Sequence, residues 1–156
     1  MNVNDGKPKV SSWDDTFMDI AHVIKRRSKD PSTQVGACIV GSDNRILSVG
    51  YNGAPNGFDD NVFKWGKNDV DELNNKYPYV VHAERNAVLN FRGILRDLNN
   101  STVYVTLFPC NECAKELAQV GVKEVVFNKY PRKIDTISFK SALIIFQEVG
   151  IKIRQL

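Results

Sequence analysis

One of the chain's two histidines, His82, is followed at the second position by Glu84 in the stretch "VVHAERNAV", and two of its three cysteines, Cys110 and Cys113, lie in "FPCNECAK". One imidazole and two thiolates are borderline-to-soft ligands that suit zinc and leave the fourth position of a tetrahedral ion open. An open position admits water, which is the mark of a catalytic rather than a structural site. Glu84 is then free to act as a base beside that water, whose pKa zinc lowers from 15.7 toward about 7. The spacing makes a further demand. Residues two apart in a regular helix point about 200° apart, so His82 and Glu84 face one site only where a helix is starting. Cys110 and Cys113 are three apart and share a face in the first turn of the next helix. Helix N-termini favour negative charge, which helps to keep thiolates ionised. Taken alone, C-x-x-C fits a redox pair or half of a structural zinc site equally well. His22, within an amphipathic helix, is either a half-exposed helical side chain or the fourth ligand of such a closed site. Cys38, in "GACIV", reads as a small buried hydrophobe.

The elements that must position these residues alternate along the chain. Ser12 with Asp15 resembles a capping box, and Trp13, Phe17, Ile20, Ala21 and Ile24 recur at helical spacing through "WDDTFMDIAHVIKRRS". "QVGACIV" and "RILSVGY", separated by the turn formers "GSDN", read as a β-hairpin. After His82 the apolar positions Ala83, Ala87, Val88, Phe91 and Leu95 mark a second helix. "TVYVTLF" follows as a buried strand, "CNECAKELAQVG" as a helix that stops at Gly121, "KEVVF" as a strand, "TISFKSALIIFQEVG" as a last helix and "IKIRQL" as an edge strand. Strands joined through helices of this length predict an α/β fold, a mixed sheet with parallel members and helices on its faces. The one long irregular segment, 52–80, is rich in Asn, Asp, Gly and Pro, and loops of that length in compact domains are usually functional or disordered.

Composition excludes several function classes. A chain of 156 residues with 42% apolar content holds one core and not two, so a single domain is expected over 11–156 behind a flexible segment 1–10. Three cysteines cannot all pair, and no apolar run follows "MNVNDGKPK", which points to a reducing, cytoplasmic setting without a secretory signal. No apolar segment approaches the roughly 20 residues that span a bilayer, so no membrane partner is expected. A formal charge of +3 without a block of like charges makes nucleic acid an unlikely partner, because an editor of polynucleotides needs a basic stripe with interleaved aromatics. A small anionic ligand needs only a local cluster of cations, and "KRRSKD" at 25–30 supplies one, although such a run is more often a solvated face.

The pairing of H-x-E with P-C-x-x-C is the signature of the zinc-dependent nucleobase deaminases. "HAERNAV" and "PCNECAK" resemble the cytidine and deoxycytidylate deaminase superfamily. "RRSKDPSTQVGACIV", "GYNGAPNGFDD", "KYPYVVHAERNAV" and "LFPCNECAKELAQVGVKEVVF" are similar, in order, to its deoxycytidylate (dCMP) deaminase branch over about residues 13–154. The resemblance implies a cytidine-deaminase-like three-layer fold with a five-stranded mixed sheet and helices on both faces. It implies one catalytic Zn2+ on His82, Cys110 and Cys113, with Glu84 as the proton shuttle in hydrolysis of dCMP to dUMP and ammonia, a precursor for dTMP synthesis. It places Arg27 and Ser28 at the substrate phosphate, Asn52 at the sugar hydroxyl, and Ala83 and Tyr130 at the nucleotide wall. It also implies a homo-oligomer, often a hexamer, activated by dCTP and inhibited by dTTP. Those effectors, with Mg2+, would meet a loop comprising Gly50, Tyr51, Gly53, Asn56 and Gly57, whose glycines permit close backbone approach. Three readings remain open at this level: a dCMP deaminase; a deaminase that also takes dCTP, a nucleoside or a base in tRNA; and a zinc-stabilised binding module without turnover. Glu84 separates the last from the others, since a structural site has no use for an acid beside its metal.

Overall fold

The computed structural model of the chain describes residues 3 and 5–156. Met1, Asn2 and Asn4, in the segment 1–10 expected to be flexible, lie outside them. Helix α1 spans Trp13–Lys25, and Ser12 caps it by accepting a hydrogen bond from the Asp15 amide at 3.0 Å. Strands β1 (Gly36–Val40) and β2 (Ile46–Tyr51) form the expected antiparallel hairpin. Its turn closes through a 2.8 Å bond from the Gly41 amide to the Arg45 carbonyl. Then come α2 (Ala83–Asn90), β3 (Thr102–Leu107), α3 (Asn111–Gln119), β4 (Glu124–Lys129), α4 (Ile137–Val149) and β5 (Lys152–Gln155). The sheet runs in the order β2-β1-β3-β4-β5. β1 is antiparallel to both of its neighbours, whereas β3, β4 and β5 are mutually parallel. The sheet is therefore mixed, and the C-terminal strand lies at its edge as the sequence predicts.

Strand alternation sorts the core into two clusters. Cys38, Val40, Tyr104 and Val126 point to one face and pack with Phe17, Met18 and Ala21 of α1. Ala37, Ile39, Val103, Val105, Val125 and Phe127 point to the other face, where Ala83, Ala87, Ala114, Leu117, Ala142 and Phe146 bring in α2, α3 and α4. One helix thus covers one face and three cover the other. Two glycines let the layers close. A Cβ on Gly36 would lie 2.0 Å from the Ala21 carbonyl oxygen of α1, and one on Gly50 would lie 2.3 Å from the Ala87 amide nitrogen of α2. Both contacts are with backbone, which cannot rotate away. Gly50→Ala is therefore expected to destabilise the fold by about 1–3 kcal/mol or more, the range for overpacking. Denaturant unfolding checks this, and an unchanged midpoint would show that α2 shifts freely.

Two helices end sooner than their apolar periodicity predicts. α1, expected to run to Ser28, stops at Lys25. The amides of Arg26, Arg27 and Ser28 bond three residues back, to Val23, Ile24 and Lys25, a tightening common where the last carbonyls must be satisfied. α2, expected to reach Leu95, stops at Asn90 because Phe91 turns extended (ψ 130°). Leu95 falls instead in a short 3-10 turn, Leu95–Leu98, that delivers the fully buried Leu98 to the core. The segment 52–80 is ordered in pieces. It contains a 3-10 turn, Glu72–Asn74, and an aromatic cluster of Phe58, Phe63, Trp65 and Tyr79. No helix among the described residues is long and apolar enough to cross a membrane.

Candidate active site

Two helix starts meet at the carboxyl end of β3. His82 is the N-cap of α2, in extended conformation (ψ 157°), and Glu84 lies in that helix's first turn. This is the break in periodicity that lets residues two apart face one site. What brings His82 there is a two-residue bridge just before it: the Gly53 amide donates to the Val81 carbonyl at 3.0 Å, and the Val81 amide to the Gly53 carbonyl at 2.8 Å. α2 is then held on the outer edge of the sheet by Asn86 and Asn90. Their side-chain amides donate to the carbonyls of Tyr51 (2.8 Å) and Val49 (3.0 Å) of β2. Cys110 is likewise the N-cap of α3, and its sulfur accepts from the Cys113 amide at 3.5 Å. Arg85 of α2 donates to Glu116 of α3 at 2.6 Å, a further tie between the two ligand-bearing helices.

The ligand atoms of His82, Cys110 and Cys113 all lie within 4.8 Å of one another, the one such cluster of three among the described residues. His82 Nδ1 is 3.4 Å from Cys110 Sγ and 3.4 Å from Cys113 Sγ. A tetrahedral zinc with Zn–S of about 2.3 Å and Zn–N of about 2.0–2.1 Å requires S···N separations of roughly 3.5 Å. The donor set therefore fits that ion with little movement. Cys113 Sγ lies 3.6 Å from Glu84 Oε2, so the carboxyl sits beside the donor set without being needed in it.

The electrostatics follow from burial and proximity. Glu84, only 5% exposed, has its pKa raised, chiefly because burial penalises the carboxylate, with His82 opposing. The Cys110 thiol is lowered to about 4, first by the hydrogen bond from Cys113 and further by His82. Cys113 is pushed up, first by that same bond and then by burial. His82 is raised, chiefly by its bond with Cys110, against burial. The pair thus keeps one proton, which an ion binding both sulfurs must displace.

A cavity of about 270 Å³ opens on this cluster, and His82, Ala83, Glu84 and Cys110 form part of its wall. Val35, Val80, Leu107 and Phe108 give it apolar sides suited to a flat ring, and Ser32, Thr33, Asn52, Lys67 and Lys76 give it polar ones. Asn52 and Ala83, both expected at the substrate, line this cavity. Asn52 is buried and already engaged: its Oδ1 accepts from the Val35 amide at 2.8 Å, and its Nδ2 donates to the Thr33 carbonyl at 2.9 Å.

Other expected residues lie outside this cavity lining. Arg27 lines a second cavity, of about 210 Å³, with Lys29, Tyr51, Gly53, Asn56 and Gly57. Ser28 is buried, its hydroxyl accepting from the Asp30 amide at 3.3 Å. Neither lines the cavity over the metal cluster. Tyr130 also lies outside that lining. It is 47% exposed and packs against Phe108 with ring centroids 5.9 Å apart, while its neighbour Pro131 reaches the wall. Gly50, expected in the effector loop, lies under α2 instead, whereas Tyr51, Gly53, Asn56 and Gly57 do share the second cavity. His22, on α1 across the sheet, is outside the donor set. Cys38 is fully buried, and burial pushes its thiol up to about 12. Sequence reasoning missed Ser32, Thr33, Lys67 and Lys76 in the cavity wall. They sit in irregular segments with no periodicity to mark them; Ser32, Thr33 and Lys76 fall inside the quoted motifs without a role assigned to them, and Lys67 falls outside those motifs.

Comparison with known proteins extends the geometry. The model of the cytidine and deoxycytidylate deaminase zinc-binding region matches residues 11–129. The human deoxycytidylate deaminase is 46% identical over 145 residues, covering 92% of this chain and 79% of that protein. A probable deoxycytidylate deaminase of Drosophila melanogaster is 45% identical over 150 residues, covering 92% and 71%. Among solved structures, the dCMP deaminase of cyanophage S-TIM5 in complex with dCMP and dUMP superposes with a TM-score of 0.73 at 26% identity, over 96% of this chain and all of that one.

Proposed function

Because this chain belongs to the cytidine and deoxycytidylate deaminase family and is a hydrolytic deaminase, we propose that its substrate is dCMP, which it converts with water to dUMP and ammonia. The observation that carries this reading is the convergence of His82, Cys110 and Cys113 beside a buried Glu84 at the wall of one cavity. That cavity's volume, about 270 Å³, is near the lower end of the roughly 300–1,000 Å³ typical of small-molecule sites. Zinc held by the three ligands would act as the Lewis acid that brings the pKa of a bound water toward about 7.

Every proton then passes through Glu84. Its carboxylate accepts one from the attacking water and delivers it to N3 of the cytosine ring as the water oxygen bonds to C4. The same carboxyl next carries the remaining hydroxyl proton to the C4 amine. The C4–N bond breaks, ammonia leaves and a carbonyl forms at C4. Burial suits this double duty, since it raises the Glu84 pKa above the ordinary carboxylate range, the direction that favours a carboxyl acting as acid as well as base. The Leu107, Phe108 and Val80 walls exclude water and hold the ring flat.

The second cavity is where we place the triphosphate effectors, dCTP activating and dTTP inhibiting, with Mg2+. Arg27 supplies a cation there, Lys29 a second that is paired with Asp60, and Gly53 and Gly57 allow close backbone approach. Such effectors act by preferring one arrangement of a homo-oligomer, with couplings of about 1–3 kcal/mol. One assay tests the whole reading: ammonia release from dCMP, dCTP, cytidine and a tRNA hairpin, with and without each triphosphate. dCMP is expected to be the preferred substrate, with a sigmoidal response that dCTP flattens. Faster turnover of cytidine or the hairpin would overturn the assignment of dCMP, and effector-independent hyperbolic kinetics would overturn the regulatory part.

A further inference from the structure

Asp30 and Lys76, 46 residues apart, form an ion pair at 2.5 Å in which the side chains are only 2% and 7% exposed. The carboxylate is the hub of its surroundings. Its Oδ1 accepts from the amides of Ser32 (2.8 Å) and Thr33 (3.2 Å), and its Oδ2 accepts from Lys76 and, at 3.4 Å, from Asn52 Nδ2. The ammonium is not similarly satisfied. Asp30 takes one of its three N–H donors, and it has no second hydrogen-bond acceptor among the described residues. An ion pair that merely tethers two loops should be enclosed with its donors filled, because each unfilled buried donor costs stability. This one instead presents Lys76 to the same cavity wall as Glu84, His82 and Cys110, beside Ser32, Thr33 and Asn52.

We infer that Lys76 is the residue that receives the phosphate of a nucleotide substrate, and that Asp30 is the positioning residue that holds its ammonium at the cavity wall. The inference rests on the deaminase reading above and replaces Arg27 and Ser28 in that role. A phosphate oxygen accepts the free Lys76 donors in a charge-assisted bond. Ser32 and Thr33, whose amides Asp30 already orients, frame the same group. The preference for a nucleotide over a nucleoside then resides in a cation that is held before substrate arrives.

Removing one partner of a buried pair leaves an unpaired charge that can unfold the protein, so the decisive variant is the double substitution Asp30→Asn/Lys76→Gln, which keeps both shapes. kcat/KM on dCMP is expected to fall roughly ten- to a hundredfold, the worth of a charge-assisted hydrogen bond, while kcat/KM on deoxycytidine stays within about threefold. Lys76→Arg should restore part of the discrimination. The double substitution removes one charge of each sign and so leaves the net charge unchanged. Equal losses on both substrates, or none on dCMP, would make the pair a structural tether and overturn the inference. Dissociation constants for dCMP and deoxycytidine, measured on zinc-loaded protein that also carries Glu84→Gln, separate this from the function itself. They report on Lys76 even if the unmodified enzyme fails to turn over dCMP, a failure that would overturn the substrate assignment alone.

Discussion

Glu84→Gln is expected to keep its fold and its zinc and to lose turnover by roughly 10²–10⁴-fold or more, the usual contribution of a positioned acid-base group. The amide has nearly the shape of the carboxyl but can neither take the water's proton nor return one to the amine. No second carboxyl lines the cavity among the described residues to take over the role. Stability should move the other way. The pKa of Glu84 is raised in the folded chain by burial, so its carboxyl favours the folded state most below the ordinary carboxylate range, and that contribution is lost as pH rises from there toward the raised value. At neutral pH the charged form is the one that burial penalises, so the Gln variant should unfold at the same or a higher temperature than the parent. Zinc content, kcat on dCMP and a melting curve make the test. Retention of more than a tenth of the parent rate at unchanged zinc would remove Glu84 from the mechanism.

Loss of the metal is the second large effect. Cys113→Ala takes one donor from a set of three and is expected to reduce bound zinc from about one per chain to near none after dialysis. Activity should go with it, and so should part of the thermal stability, since metal binding free energy is also folding free energy. Cys110→Ala should do the same, but it also removes the sulfur that caps α3 through the Cys113 amide. Cys38→Ala is the contrast. That thiol is fully buried in the cluster under α1, on the opposite face of the sheet, and its loss should leave a small cavity with zinc content unchanged. Zinc retained after Cys113→Ala would mean that the ligand set is wrong.

Much of this site can be read in the linear order because its ligands are local to helix starts. The H-x-E and C-x-x-C spacings each require a first turn, and the structure puts His82 and Cys110 at two N-caps. Ser12 before an amphipathic run, the GSDN turn and the alternation of strands and helices are also local signals, set by short-range hydrogen bonding and by which face of an element is apolar. Element ends were less legible. The apolar residues Phe91 and Leu95 continue a helical pattern on paper, yet the chain leaves the helix at Asn90 to bury Leu98. Only the fold can demand that.

Residue types and their spacing are enough for the chemistry: which side chains can bind zinc, which can carry a proton, and that strands and helices alternate to present them. What only the tertiary structure decided is who shares a wall with whom. Arg27 stands in a run of cations and Lys76 stands alone before the histidine motif, so charge along the chain points to Arg27 as the phosphate ligand. In the fold Arg27, just past the end of α1, lines the second cavity, and Lys76, paired with a carboxylate 46 residues away, lines the first. Such pairings are set by long-range packing, in which one helix covers one face of the sheet and three cover the other. A buried ion pair forms only where that packing has already excluded water from both partners.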